Sequence, residues 1–541
     1  MQQQRAENRL VLAHLYVALV CVFIGTFFGL MQVTSRAGLF QVPAWFDYYR
    51  MLTAHGVLLA LVFTTLFITG LSTYATYRSI ERPNRSLAIA WTAWWTMIVG
   101  TAMAAYEILA GNATVLYTFY APLKASPWFY VGATLLVVGT WIVLLDILLE
   151  IKYFRGTHPG ERIPLPVYMA VTNFIMWFLA TVGLAVEVIF QLIPWSFGWV
   201  PGVDVALSRI LFWYFGHPLV YFWLLGAYLI WYGVIPKILG VPVFSDSLTR
   251  VAFILLMILS LPVGVHHEFA DPGIAHVWKL LQTGFTMMVV IPSLMTAFAL
   301  FAVFEQAAAK QGKTGFIGIV SSLPWKNPTF LGSVLGMILF IFGGFGGIVN
   351  ASYAMDILVH NTMWVVGHFH ITVGGPVALT FLAATYTLVP TLTGRRFTSD
   401  GLARVQVWLW FIGMAIMSVG MHVEGLLGAP RREASLVYGG NPIAASWEPW
   451  SILSAIGGTI VFASVLVYLV AFLKMVFGGE KGETRFEFAE PDRYAKDTPA
   501  VLDRLGLWAL VGVALVVIAY SGPVVQHFQY HIYDAPGMRT W

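Results

Sequence analysis

Apolar runs of about 18 residues or more, each long enough to cross a bilayer as a helix, recur along the whole chain and leave it few possible folds. Thirteen are legible: 10–31, 49–77, 87–109, 127–149, 167–192, 207–235, 251–269, 277–304, 330–349, 358–388, 405–427, 449–477 and 505–528. A water-soluble protein carries about 25% charged residues, whereas this one is 10% charged and 59% hydrophobic. Within hydrocarbon each run must satisfy its own backbone hydrogen bonds, which a helix does. An all-α integral membrane protein of about thirteen transmembrane helices is expected. No stretch between the runs is long enough for another folded unit, so 1–541 reads as a single membrane domain.

Charge gives the orientation. With the N-terminus placed inside, 22 of the 30 lysines and arginines fall on the inner side and 8 on the outer. Arg36, Arg50, Lys124, Arg209, Lys279, Arg431, Arg432 and Arg539 make up the smaller group. That bias predicts the N-terminus inside and the C-terminus outside, and it favours an odd number of spans. The start, MQQQRAENRLVLAH, lacks the basic region and cleavage site of a secretory leader. Cys21 is the single cysteine, so no disulfide or thiolate metal site can form within the chain. The polar segment 478–504 reads as the longest inner loop, a surface connection, and the Pro-rich stretch 159–166 as an ordinary turn.

The histidines carry the chemistry. Seven of the thirteen, His14, His158, His276, His360, His422, His527 and His531, read as residues near helix ends, in loops or in the terminal segment. The other six share one depth. His55 lies about six residues into a span running inward, His217 about ten into another, and His368 and His370 ten and twelve into a third. His266 and His267 close a span that runs outward. At about 1.5 Å of rise per residue, all six fall in the outer half of the bilayer. A lone buried histidine usually makes a helix–helix hydrogen bond. Six at matching depth point instead to metal, because buried polar groups in a membrane mark function and neutral imidazole is the commonest protein metal ligand. Without thiolates, the donor set suits copper, iron or zinc.

Spacing divides the six. His217 and Tyr221 in GHPLVYFW (216–223) are i and i+4, on one helix face. His266 and His267 are adjacent, about 100° apart in a helix. Pro262 and Gly264 just before them can loosen the helix so that both reach one ion. With His217 they make a three-nitrogen centre with an open position. His368 and His370 in GHFHITVGG (367–375) are i and i+2, about 200° apart. One helix can therefore serve a different centre on each side, and His55 can pair with one of the two across a planar macrocycle.

TAHG (53–56), GHPLVYFW, HHEFADPG (266–273), GHFH (367–370) and PRR (430–432) together resemble the ligand motifs of the catalytic subunit of haem-copper oxidases, a likeness that runs along essentially the whole chain. The resemblance implies that His55 and His370 ligate a low-spin haem and that His368 is the proximal ligand of a high-spin haem. It further implies that His217, His266 and His267 hold one copper ion and that Tyr221 is linked covalently to His217. Leu219 stands where the mitochondrial-type branch has a glutamate, so the chain is most similar to the B-type (ba-type) branch of prokaryotes. That branch implies a b-type low-spin haem, a high-spin haem of a-type or related kind, and location in the prokaryotic cell membrane. It also implies one proton path, matched by Tyr221, Tyr228, Tyr232, Ser293 and Thr296, with Ala299 replacing the threonine expected near its inner entrance.

The three tyrosines are spaced i, i+7 and i+11, close to one helix face over about 16 Å. Packing, and serine or threonine bonding back to its own helix, would explain the same residues without a relay. By resemblance Arg431 and Arg432 pair with haem propionates, although snorkelling at the interface also accounts for them. Asp356, His360 and Asn361 match residues on the proton exit side. Glu187 has no role that either route assigns.

The function implied is reduction of O2 to water with proton translocation. This chain has no motif for an electron-accepting copper site. A subunit II with a dinuclear copper centre, cytochrome c as donor and a small single-helix subunit are the partners implied, and no nucleic acid. A quinol oxidase differs only in its donor. A nitric oxide reductase would share the six histidines but lack Tyr221 and copper. A multi-span transporter would show thirteen spans without needing the histidines.

Overall fold

The computed structural model describes residues 2–43, 46–530 and 534–540; His531 lies outside them. Among the described residues, twelve helices are long and apolar enough to cross a membrane, and a bent pair makes a thirteenth. In chain order they are α1 (Gln2–Arg36), α2 (Tyr48–Ser79), α3 (Ala88–Leu109), α4 (Pro127–Thr157), α5 (Leu165–Phe197), α6 (Val205–Ile238) and α7, the pair Asp246–Leu259 and Leu261–Glu268. There follow α8 (His276–Lys310), α9 (Pro328–Ala351), α10 (Met363–Thr393), α11 (Asp400–Leu426), α12 (Pro442–Val476) and α13 (Leu505–Gln529). The expected all-α class and span count are thus observed.

Lipid tails give helices no hydrophobic reason to associate, so close backbone approach matters. A Cβ at Gly413 of α11 would lie 2.8 Å from the Gly457 carbonyl of α12, and one at Gly457 would lie 2.3 Å from the Met417 nitrogen. α3 and α4 meet in the same way at Gly100 and Gly132. α6 sits at the centre, with 89% of its most apolar window buried, whereas α13 is peripheral with 22%. One hydrophobic cluster runs from Val11 to Leu505 through most of the helices.

Three irregular turns fall beside the histidines. A wide, π-type turn (Val57–Phe63) follows His55, and another (His370–Ala378, with Pro376 inside) starts at His370. α7 bends by 48° and continues as a tight 3-10 turn, Leu261–Glu268. Pro262 has left helical geometry there (φ −89°, ψ 28°), the loosening that its ring and missing N–H impose.

Two expectations need correction. The tenth span opens at Met363, not near 358, because a short helix, Tyr353–Val359, ends at His360 and the chain breaks before Thr362 caps the next one. His368 and His370 are therefore the sixth and eighth residues of their helix rather than the tenth and twelfth. His14 is not near a helix end: α1 begins at Gln2, and the ring is buried three turns in, bonded through Nδ1 to the Leu10 carbonyl at 2.9 Å. Segment 478–504 is the surface connection expected, mostly exposed and outside the spanning helices. It straps the end of the bundle through Val243 N–H to Glu490 O (3.0 Å), Ala489 N–H to Gly233 O (2.7 Å), Tyr74 OH to Phe486 O (2.6 Å) and Asp503 to Arg250 (2.8 Å).

Candidate metal and cofactor site

His55 of α2 and His370 of α10 face each other with ring planes 15° apart and centroids 6.0 Å apart. Each ring is fixed by the backbone. Nδ1 of His55 donates to Gly25 O at 2.8 Å, and Nδ1 of His370 donates to Val366 O at 2.8 Å. A carbonyl only accepts, so the proton sits on Nδ1 and Nε2 keeps its lone pair, the arrangement that orients a ligating histidine. With imidazole–metal bonds of about 2 Å, two rings binding one ion from opposite sides have centroids about 6 Å apart. Gly29 of α1 supplies the room: a Cβ there would lie 2.7 Å from the His55 ring.

His368 leaves α10 on the other side, towards α9, where a Cβ at Gly346 would lie 2.8 Å from its Nδ1. Phe369, between the two histidines, stacks on Tyr117 (5.9 Å) and meets Trp223 edge-on (5.7 Å). The i, i+2 spacing thus divides the two rings as the sequence predicts.

On the His368 side, His217, His266 and His267 offer nitrogen atoms that all lie within 4.8 Å of one another. His217 Nδ1 is 3.1 Å from His267 Nε2, and His266 Nδ1 is 3.1 Å from Thr286 Oγ1. The His267 ring lies flat on Trp213, 3.9 Å away at 6°. The tight turn after Pro262 brings this cluster close to α6. A Cβ at Gly264 would sit 2.0 Å from the Trp213 carbonyl, so only glycine fits there. His217 Nε2 is buried without a hydrogen-bond partner among the described residues, and the Tyr221 ring is 4.7 Å from the His217 ring.

All six histidines line one cavity of about 580 Å³, together with Tyr221, Ser293, Asp356, His360, Arg431 and Arg432. Its floor is apolar and its donors are neutral-capable imidazoles. The residues fit a metal on three nitrogens, and planar groups held by His55 with His370 and by His368.

One end of the cavity is a polar rim. Arg431 donates through Nη2 to Asn361 Oδ1 at 2.8 Å and through its backbone N–H to Asn361 O at 3.0 Å. Arg432 donates to Thr118 Oγ1 at 3.3 Å and lies over the Tyr120 ring. Burial, with Arg432 beside it, pulls the Arg431 guanidinium down to about 10, so it stays cationic at neutral pH. Its buried Nε has no partner among the described residues, so the rim has unspent capacity for an anion. Asp356 Oδ2 and His360 Nδ1 pair at 2.6 Å, and burial raises the Asp356 carboxyl against the opposing pull of His360 and Arg431.

The hydroxyl stripe supports both of its readings. Tyr232 OH donates to Thr296 Oγ1 at 3.0 Å. Thr296 in turn donates to Pro292 O at 2.9 Å and Ser293 to Val289 O at 3.2 Å, each back to its own helix. Tyr228 and Tyr232 are buried with rings 6.1 Å apart, while Tyr221 and Ser293 open onto the cavity.

The family profile for cytochrome c and quinol oxidase polypeptide I matches residues 9–460. The chain belongs to that family. It is 42% identical over 99% of its length to a Thermus thermophilus protein named cytochrome c oxidase subunit 1, and covers 97% of that relative. To a heme-copper oxidase subunit I+III of Aeropyrum pernix it is 28% identical over 80% of its length, covering 52% of the longer protein. Its fold matches a chain in a cryo-EM structure of a heme-copper terminal oxidase dimer with a TM-score of 0.94 at 35% identity, covering 99% of this chain and 95% of that one. This haem-copper oxidase subunit I is therefore a multi-pass membrane oxidoreductase, of a class in which haems and copper are expected.

Sequence reasoning missed one feature of the subunit I cavity. Arg36 and Glu424 form an ion pair at 2.8 Å, both side chains within 5% of complete burial, and both line the cavity. By sequence Arg36 is only an outer-side charge. The acid on α11 was the available signal, since a buried carboxylate needs a partner. Glu187 does find one: Ser208 OH donates to it at 2.6 Å.

Proposed function

We propose that this chain is the catalytic subunit of a B-type cytochrome c oxidase, a single 541-residue membrane unit of a prokaryotic cell membrane with its N-terminus inside and C-terminus outside. His55 and His370 hold a low-spin haem of b-type. His368 holds a high-spin haem of a-type or related kind, and His217, His266 and His267 hold one copper ion. When bound, these groups would relay electrons and provide the metal pair at which O2 is reduced to water. The observation that carries this reading is the division of imidazoles by α10, a parallel pair on one side and a three-nitrogen cluster with His368 on the other.

The protein's own residues have separable tasks. The carbonyls of Gly25 and Val366 hold two rings in the ligating tautomer. Tyr221, beside His217 and joined to it covalently in the matured protein, offers a phenolic proton and electron at the cavity wall. Tyr228, Tyr232, Ser293 and Thr296 pass protons towards it from the inner side, with the Tyr232–Thr296 bond as one link. Arg431 and Arg432 bind the haem propionates through charge-assisted bonds, and Asp356, His360 and Asn361 receive protons leaving on the outer side. Electrons come from cytochrome c through the dinuclear copper centre of a subunit II, with a small single-helix subunit alongside.

The test is a reduced-minus-oxidised optical spectrum of the purified complex, with haem extraction and copper analysis. One low-spin and one high-spin haem with one copper in this subunit are expected. Iron in place of that copper would turn the reading to a nitric oxide reductase, and a colourless protein would end it.

A further inference from the structure

Two helix faces lead to the same place above the His55–His370 pair. On α1, Gly29 touches the His55 ring, and Gln32 and Arg36 follow at i+3 and i+7, the same face, about 10 Å along the axis. On α11, Met417, Met421 and Glu424 run along one face, and all three line the cavity. Arg36 Nη2 donates to Glu424 Oε1 at 2.8 Å and to the Pro430 carbonyl at 3.2 Å, and Nη1 touches Met363 Sδ at 2.9 Å. Arg36 Nε, Glu424 Oε2 and Gln32 Oε1 are buried without partners among the described residues. The bond to Pro430 joins the pair to the loop that presents Arg431 and Arg432.

We propose that Arg36 and Glu424 form a charge-balanced positioning pair that sets the reduction potential of the low-spin site, an inference that rests on the reading of His55 and His370 given above. Removed from water, a fixed charge acts on its neighbours with little screening. A lone guanidinium on this wall would favour the reduced, electron-bearing form of a centre held by His55 and His370. A lone carboxylate would favour the oxidised form. At 2.8 Å the two nearly cancel, so the rim acts through Arg431 and Arg432, and Glu424 prevents a third cation from adding to them. A buried pair broken on one side leaves its other charge uncompensated. The potential should therefore depend on the net charge of the pair rather than on the presence of either member.

The experiment is a spectroelectrochemical titration of the low-spin haem in the assembled enzyme, with thermal unfolding measured alongside. Failure of the unaltered enzyme to show a low-spin spectrum would fail the ligand reading before any variant is made. Glu424→Gln should raise the reduction equilibrium constant about tenfold, which for one electron is 59 mV. Arg36→Gln should lower it by a similar factor, and the double variant should return near the starting value although the ion pair is gone. Arg36→Lys keeps the charge and should keep the potential. Single variants that lower the unfolding temperature but leave the potential in place would make the pair a structural tie only. A double variant displaced as far as either single, or Arg36→Lys displaced as far as Arg36→Gln, would equally overturn the proposal.

Discussion

The two sides of α10 hold their imidazoles by different means. On one side, the backbone fixes both rings: Gly25 O and Val366 O each take an Nδ1–H at 2.8 Å, and the planes settle 15° apart. On the other, His217 and His267 meet nitrogen to nitrogen at 3.1 Å, and His266 is oriented by the Thr286 hydroxyl and the Val263 backbone. The first site is organised by secondary structure. The second is organised by packing, by Trp213 beneath His267 and by the tight turn after Pro262, and its facing nitrogens are best satisfied by a shared cation. The difference teaches that the paired site should keep its geometry when emptied, whereas the cluster should depend on what it holds.

The sharpest break in that comparison comes from the two histidines themselves. His370→Ala is expected to abolish the low-spin haem signal and all turnover, while His368→Ala keeps the low-spin signal and loses the high-spin one. Optical spectra of the two purified variants check this. Loss of the same haem from both would remove the two-sided reading.

Next in size is Tyr221→Phe, which should retain both haems and copper while turnover falls by about a hundredfold or more, the usual weight of a positioned proton donor. The ring still fills its place beside His217, so packing alone predicts near-normal oxygen consumption. Oxygen-electrode rates normalised to haem content separate the two.

Thr286→Val tests the dependence of the cluster on its few supports. Loss of the hydroxyl that orients His266 should weaken copper binding about 10- to 100-fold, as loss of an outer partner typically does. Competition with a copper chelator, followed by metal analysis, measures it. The low-spin spectrum should not change, since no bond of the paired site involves Thr286.

What the sequence makes legible here is local. The i, i+2 spacing of His368 and His370 states that they face apart, and Pro262 with Gly264 states that α7 must loosen; both hold because backbone geometry alone decides them. The start of α10 at Met363 was not legible, since apolar residues continue through Tyr353–Val359 and hydropathy does not register the break at His360–Thr362. The Arg36–Glu424 pair joins residues 388 apart in sequence, and no periodicity connects them.

The smallest effect expected is on the far side of the cluster, at Thr296. Thr296→Val is nearly isosteric, and Thr296 Oγ1 accepts a bond from Tyr232 at 3.0 Å and donates one to Pro292 O at 2.9 Å. The second is a bond back to its own helix whose loss should cost under about 1 kcal/mol, so fold and haem content should be unchanged. The first is the link a proton would use between α6 and α8. Electron arrival at the low-spin haem needs no proton from this path and should stay fast, whereas proton-consuming steps at the high-spin site should slow several-fold, since a relay hydroxyl can be partly replaced by water. On the proposed B-type reading, in which Leu219 replaces the other branch's glutamate, chemical and translocated protons should slow together. Time-resolved haem oxidation with a pH indicator on the inner side reads both. Uptake at the normal rate in Thr296→Val, with Tyr228→Phe equally silent, would make the stripe of hydroxyls a packing feature and leave the paired site and the cluster supplied by some other route.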